Sequence, residues 1–351
     1  MEDFSEKPLV LVTGASGYLG SWCVAKLLDT GKYRVRGTIR DTTNQDRMEL
    51  LKKGFGDYFD QIEFVSADLQ DKEAIKKAVE GVTYVLHVAS PVIPEPPKDG
   101  DKEIIKPAIE GTRNVLKSSV GSGVKKVIIT SSTATCQDLW EHPEKVSDHT
   151  TFVKEFEGMV PYFKSKIRAE RYAFDFIDKF KSTERPFDVV VINPSFIIGK
   201  ALLPRAEGAS LKFVKDALEN KMPGYPQIYL GHIDVQDCAQ AHVNAIEKGE
   251  NGDRFPLSSG TYKVIEFFNP IIEEYEAKGY KVSKSEINKA ILWMVSLFND
   301  DAAFYLTGWN IKNEVDGSLA SEKLGIEYKP MKESILEACE SLVNLGLVAK
   351  P

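Results

Sequence analysis

The chain has 351 residues, 42% of them hydrophobic, with a formal net charge of -7. Such a length fills one large or two ordinary domains, and lysines and arginines scattered under an acidic balance argue against nucleic acid or an anionic membrane as a partner. The longest apolar run, AILWMVSLF at 290–298, is far short of the ~20 residues of a membrane span and reads as a buried helix.

The chain opens with MEDFSEKP, polar and acidic, without the apolar segment of a signal peptide, so a cytoplasmic location is expected. From residue 8 onward, short β-branched apolar runs alternate with stretches of helical periodicity, the pattern of βαβ units on a parallel sheet. The predicted strands are 9–12, 33–39, 62–67, 83–89, 125–131 and 188–194. Between them, 19–31, 43–54, 72–81, 101–120 and 162–180 place apolar residues three and four apart, as helices do. Six strands and five crossovers predict an α/β fold with a doubly wound parallel sheet of the Rossmann kind. SPVIPEPPKDGD at 90–101 reads as a loop insertion.

After residue 200 the rhythm changes to longer helices and pieces rich in Tyr and Trp, which predicts a smaller, mostly helical C-terminal lobe. We place a cofactor-binding domain at 1–200 and a substrate-binding lobe at 201–351. The chain is expected to return to the first domain at 228–250, where GHIDVQDCAQAHVNAIEKG reads as a strand end feeding an amphipathic helix. Cys23, Cys136, Cys238 and Cys339 lie about a hundred residues apart, without metal-ligand or disulfide spacing, so reduced thiols and no metal are expected.

VTGASGYLG sets Gly14, Gly17 and Gly20 directly after the first strand and at the start of the first helix. Glycines there let backbone approach a pyrophosphate, and the helix N-terminus beyond carries the unsatisfied N–H groups that hold an anion. The second strand ends VRGTIRD. An NAD site tends to carry an acid at that point for the ribose 2′-hydroxyl, but here Arg40 stands in the place, with Arg36 and Arg47 near in sequence. That favours a 2′-phosphate, and so NADP over NAD; Asp41 is the competing ribose acid, and the same arginines would also suit an ordinary solvent-facing surface. Asp68, after the third strand, lies where adenine would sit, or caps a helix.

The fifth strand runs into four consecutive hydroxyls, Thr130, Ser131, Ser132 and Thr133, at the strand end where open α/β sheets bind ligands. Spacing alone does not choose between the two serines. Thirty residues on, PYFKSK holds Tyr162 and Lys166, four apart and so on one helical face. A free phenol ionises near ~10, so an adjacent cation is needed to make it a proton shuttle. The same spacing recurs at Tyr280/Lys284 and Tyr328/Lys332, but Gly279 argues for a loop around the first pair and Pro330 interrupts the second. Only Tyr162 and Lys166 follow the hydroxyl-rich strand end.

With glycine loop, TSST strand end and YxxxK in this order, the chain resembles the extended short-chain dehydrogenase/reductase family, and within it the dihydroflavonol-4-reductase-like carbonyl reductases. VTGASGYLGSW, HVASP, VIITSS, YFKSKIRAE, INPSFIIG and HIDVQDCAQAH carry the likeness. The resemblance implies NADPH-dependent reduction of a small aldehyde or ketone, with Ser132, Tyr162 and Lys166 as catalytic residues; the assembly is expected to be a monomer or homodimer. The resemblance also implies cofactor contacts from Gly14, Ser16, Gly17, Tyr18, Leu19, Gly20, Arg40, Arg47, Asp68, Leu69, Val88, Ala89, Ser90, Pro194 and Ser195. Gln137 falls at a substrate-contacting position where plant dihydroflavonol reductases usually carry Asn, and GMVPYFKSK replaces the NWYCYGK pattern of cinnamoyl-CoA reductases. Rival readings are a nucleotide-sugar epimerase or dehydratase, a hydroxysteroid-type dehydrogenase, and a non-catalytic NADP sensor; the first favours an acid where Arg40 stands, and the last would not need Tyr162.

Overall fold

The computed structural model describes residues 6–90, 97–205, 208–297 and 299–349, so positions 91–96 of the expected loop insertion lie outside the described residues. The first half alternates strand and helix: β1 (Leu9–Thr13), α1 (Tyr18–Asp29), β2 (Arg34–Ile39), α2 (Gln45–Phe55), β3 (Ile62–Ser66), α3 (Lys72–Ala78), β4 (Tyr84–His87), α4 (Lys106–Ser119), β5 (Lys126–Thr130), α5 (Pro161–Ile177) and β6 (Asp188–Pro194). The helix expected over 101–120 is a π turn at Asp101–Ile105 leading into α4, because Pro107 lacks the N–H that a continuous helix would use.

These strands pair in parallel in the order β3-β2-β1-β4-β5-β6, with the direction of winding reversing between β1 and β4. Alternate residues of β1 serve opposite faces, as the pleat requires. Val10 and Val12 pack with Trp22, Cys23 and Val24 of α1, while Leu9 and Leu11 pack with Ile75 of α3, Leu116 of α4 and Phe176 of α5. Burial on both faces is why the central strands β1, β4, β5 and β6 read as nearly continuous apolar runs, while β2 and β3 toward the edge carry polar residues.

The second half continues with β7 (Phe196–Ile198), α6 (Ala209–Leu218), β8 (Tyr229–Asp234), α7 (Val235–Lys248), β9 (Arg254–Leu257), β10 (Gly260–Lys263), α8 (Val264–Tyr275), α9 (Lys289–Ser296), α10 (Asp300–Thr307) and α11 (Met331–Asn344). Here the structure corrects three expectations. A seventh parallel strand, β9, extends the sheet beyond β6. Its sequence, RFPL, hides it, since proline is tolerated only because β9 is the edge strand. Besides its helices the C-terminal part holds β10, β8 and β7 in a three-stranded sheet, over which Val214 of α6, Phe267 and Phe268 of α8 and Ile335 of α11 build a separate core. The strand before 235 therefore joins this small sheet, while α7 packs beside α1 in the main core.

The third correction concerns the run at 290–298, of which residue 298 lies outside the described residues. In α9 only Leu292 is buried, and Trp293 and Met294 are more than half exposed. Helices α9 and α10 pack chiefly on each other, and Phe304 of α10 anchors them on Trp140 and Phe163, which leaves the other faces of α9 uncovered. Among the described residues no helix is long and apolar enough to cross a membrane. All four cysteines are free and buried.

Candidate active site

The carboxyl ends of β1, β4, β5 and β6 lie side by side, and the winding reverses between β1 and β4, the point at which open α/β sheets bind ligands. Below it, β1 turns sharply: Gly14 has φ +70° and donates its N–H to the Thr38 hydroxyl at 3.0 Å. A Cβ at Gly14 would stand 2.9 Å from that of Ala89, and one at Gly20 only 2.2 Å from the Gly14 carbonyl. Both glycines are required by this close approach of loop, helix and β4 end. Gly17 caps α1 with no side-chain bond, and no acid lies in the first turn, so the helix N-terminus keeps its partial positive charge and N–H groups for an external anion. These features fit the pyrophosphate of a dinucleotide. Ser16 is half-buried beside them, whereas the Leu19 side chain belongs to the core and the Tyr18 hydroxyl donates to the Gly199 carbonyl at 2.7 Å.

At the end of β2, Arg40 is exposed, and Arg47 lies in the first turn of α2. Arg36 is not available to a ligand phosphate. It donates to the carbonyls of Ala78 and Glu80 at 2.8 and 2.7 Å and pairs with Glu63 at 2.9 Å. Asp41 is also committed: its Oδ1 accepts from the Thr43 N–H at 2.8 Å and hydroxyl at 2.6 Å, and these bonds hold its carboxyl below the ordinary range. Asp68 is exposed beyond β3 and closes a turn with the Gln70 N–H at 2.8 Å, while Asp71 caps α3. Leu69 rests where α4 passes at Gly111. Val88, Ala89 and Ser90 follow β4 half-buried, the Ala89 N–H donating to the Thr13 hydroxyl at 3.0 Å. Pro194 is buried, and the Ser195 hydroxyl donates to the Leu257 carbonyl at 2.8 Å.

The hydroxyls after β5 separate by direction. Ser131 donates backwards to buried Glu170, and Thr130 meets Nε2 of His242 at 2.7 Å. Ser132 opens a short turn by accepting from the Ala134 N–H at 3.2 Å, and its hydroxyl lies against the Tyr162 phenol. Tyr162 stands at the second position of α5 behind Pro161, a residue suited to a helix start. The residue is 42% exposed to solvent. Desolvation at the hydroxyl end raises the phenol above its ordinary range, opposed by the bond with Ser132. Lys166, one turn on, is buried, with Nζ 3.4 Å from the Thr130 carbonyl and 5.9 Å from the Tyr162 ring centre. Burial pushes its ammonium down to about 8, and Glu170 pulls it up. The expected action of Lys166 on the phenol is therefore not what sets it here. Burial and Ser132 do, and the phenol stays protonated at neutral pH.

Behind this trio lies a polar network absent from the sequence reading. Glu170 accepts from Thr135, Asn193 and Arg254 at 2.8, 2.8 and 2.6 Å, besides Ser131. Arg254 of β9 reaches on to the carbonyls of His149 and Thr151, each at 2.7 Å. Continuing the four-residue step from Tyr162 and Lys166 arrives at Glu170; nothing in RFPL marks Arg254. Gln137 is half-buried and donates to the Asn313 carbonyl at 2.8 Å, which ties the segment after Ser132 to the C-terminal chain. The other Tyr–Lys pairs lie elsewhere: Tyr280 is buried in the second core, and the Tyr328 hydroxyl donates to Gly317 at 2.8 Å.

Residues 10–258 match the profile of the NAD dependent epimerase/dehydratase family. Cinnamoyl-CoA reductase 1 of Oryza sativa is 30% identical over 97% of this chain and 92% of its own length. The bifunctional dihydroflavonol 4-reductase/flavanone 4-reductase of Malus domestica is 32% identical over 77% of each chain. Among solved structures, Gre2 from Candida albicans in complex with NADPH superposes with a TM-score of 0.78 at 25% identity, over 96% of this chain and 99% of the other.

Proposed function

The chain belongs to the NAD dependent epimerase/dehydratase family, as an NADP-dependent oxidoreductase of the extended short-chain dehydrogenase/reductase type, and on that premise we propose that it reduces the carbonyl of an aldehyde or ketone to the alcohol with Tyr162 as proton donor. The observation that carries the reading is the Ser132 hydroxyl lying against a protonated Tyr162 phenol at the open end of the sheet.

The loop at Gly14, Gly17 and Gly20 with the α1 N-terminus suits the pyrophosphate, exposed Arg40 with Arg47 the 2′-phosphate, Asp68 the adenine side, and Lys166 the ribose hydroxyls. NADPH, when bound, supplies the hydride that makes the carbonyl carbon an alcohol carbon. Ser132 donates a hydrogen bond to the carbonyl oxygen and Tyr162 gives it a proton as negative charge develops there. The phenolate so formed is reprotonated from solvent, to which the residue is exposed. A phenol raised by burial is protonated at neutral pH and so has a proton to give, and the alkoxide developing on the substrate, a far stronger base than the phenolate, is what draws it off.

The measurement is NADPH oxidation over methylglyoxal, aliphatic and aromatic aldehydes, diketones and dihydroflavonols, with wild type and Tyr162→Phe. Turnover is expected to fall by about 100-fold or more in the variant while NADPH still binds. Turnover retained by Tyr162→Phe excludes the phenol as donor.

A further inference from the structure

Tyr162, Lys166 and Glu170 follow one another at four-residue steps along α5, so they share a face and stack from solvent into the core: Tyr162 is open, whereas Lys166 and Glu170 are 7% and 3% exposed. Lys166 and Glu170 line one small cavity, about 20 Å³, together with His87, Thr130 and Ser131. That is room for about one water, so little solvent screens one charge from the other.

We propose that Glu170 is a positioning residue of the active site: it is the counter-ion that holds the Lys166 ammonium charged and in place beside Tyr162, and Arg254 anchors it from behind. The proposal rests on the reading of Tyr162 and Lys166 given above.

Among the described residues around Lys166, Glu170 is the one anionic group placed for that task. From β4, His87 is pushed down to about 3 by burial and then by Lys166, so it is neutral. From β5 come the Thr130 carbonyl and Ser131, and from α4 Ala108 and Thr112, none of them charged. On α5 itself Tyr162 is a neutral phenol at the pH of interest. On the far side of Glu170 lie buried Cys136, a thiol pushed up to about 12 by burial, and Arg254. The Arg254 guanidinium binds one carboxylate oxygen through Nε and spends its other nitrogens on the carbonyls of Thr135, His149 and Thr151, with the Phe152 ring 3.9 Å away. It therefore lies toward the loop, away from Lys166. The second oxygen takes Ser131, Thr135 and Asn193, so the carboxylate also fixes the residue preceding Ser132.

A wholly structural ion pair would leave Lys166 alone when its charge is removed, and the test turns on that difference. Lysine labelled with 13C at Cε is titrated by NMR in cofactor-free protein, the Lys166 signal being assigned from its loss in Lys166→Met. The wild-type midpoint is expected near 8, and Glu170→Gln, which keeps the shape of the side chain, is expected about one pH unit lower. The alkaline limb of kcat/KM for NADPH oxidation moves down with it. An unshifted midpoint in Glu170→Gln overturns the proposal. If that variant does not fold, Glu170→Asp decides: a midpoint below wild type sustains the counter-ion role, and coincidence with wild type overturns it. Wild-type protein without carbonyl-dependent NADPH oxidation would defeat the reductase reading, while the NMR titration would still decide the pairing of Glu170 with Lys166.

Discussion

The Lys166 ammonium lies 5.9 Å from the centre of the Tyr162 ring, and the burial that puts it there works against its own charge, lowering its titration from 10.5 to about 8. A difference of about 2.5 pH units is about 3 kcal/mol held against folding at neutral pH. Below about 8 both folded and unfolded chains carry this proton, so the penalty is fully present. Between about 8 and 10.5 the unfolded chain still binds the proton that the folded chain has released, so stability rises with pH across that window. Lys166→Met is accordingly expected to abolish carbonyl reduction while stabilising the protein at pH 7 by about 1–3 kcal/mol, Glu170 keeping Arg254 as its partner. Chemical denaturation at pH 7 and pH 10 checks this: the gain should shrink at the higher pH. A variant less stable than wild type at pH 7 would show that Lys166 supports the fold instead of straining it.

Of the three arginines near the cofactor's expected adenosine end, only one is both exposed and placed at the end of β2. Arg40 has that position, while Arg36 is held by the carbonyls of Ala78 and Glu80 and by Glu63. Arg40→Asp is expected to lower kcat/KM for NADPH by about tenfold or more relative to NADH, the value of one charge-assisted contact. Arg36→Ala is expected to lower thermal stability and leave the NADPH-to-NADH ratio unchanged. Steady-state kinetics with both cofactors, beside a melting curve, separate the two. Equal ratios in wild type and Arg40→Asp would assign the 2′-phosphate to another residue.

The central strands were legible because a parallel sheet covered on both faces demands apolar runs, which β1, β4, β5 and β6 supply, and β2 and β3 were legible from their β-branched residues in alternation with helices. Strand β9 was hidden by Arg254 and Pro256, residues that a buried inner strand would not carry but an edge strand accepts. The apolar sequence of α9 spoke for burial, yet what covers a helix is decided by its neighbours, and here α10 covers only one side. At the site, the glycine spacing and the Tyr162–Lys166 step were legible, since each encodes a local geometry. The choice between Ser131 and Ser132 was not, because it depends on which way the chain turns after β5: Ser131 falls on Glu170, and Ser132 on Tyr162.

Three histidines give the fold a steep acid limit. His87 sits between Thr13 and Thr112, His232 on Ser259, and His242 between Thr130 and the Cys238 carbonyl, all of them buried. Desolvation pushes His87 down to about 3 and His232 and His242 to about 4, with Lys166 and Lys329 adding to the first two. Their neutral forms are bound into the folded chain, so the stability they lend is whole above the unfolded value of about 6.5 and is lost as pH falls toward 4. In that window the unfolded chain takes up about three protons on these rings that the folded chain refuses, against about one that Asp237, pushed up to about 6 by burial, takes up in the folded chain, a net slope of about 3 kcal/mol per pH unit. Against a total stability of about 5–15 kcal/mol, the protein is expected to unfold between about pH 4 and 5. Urea titrations at pH 7, 6 and 5 measure the slope directly, and His242→Gln, which keeps a hydrogen-bonding side chain in place without the titration, is expected to reduce it by about one half. A slope below that of one proton would mean that these rings are charged inside the fold.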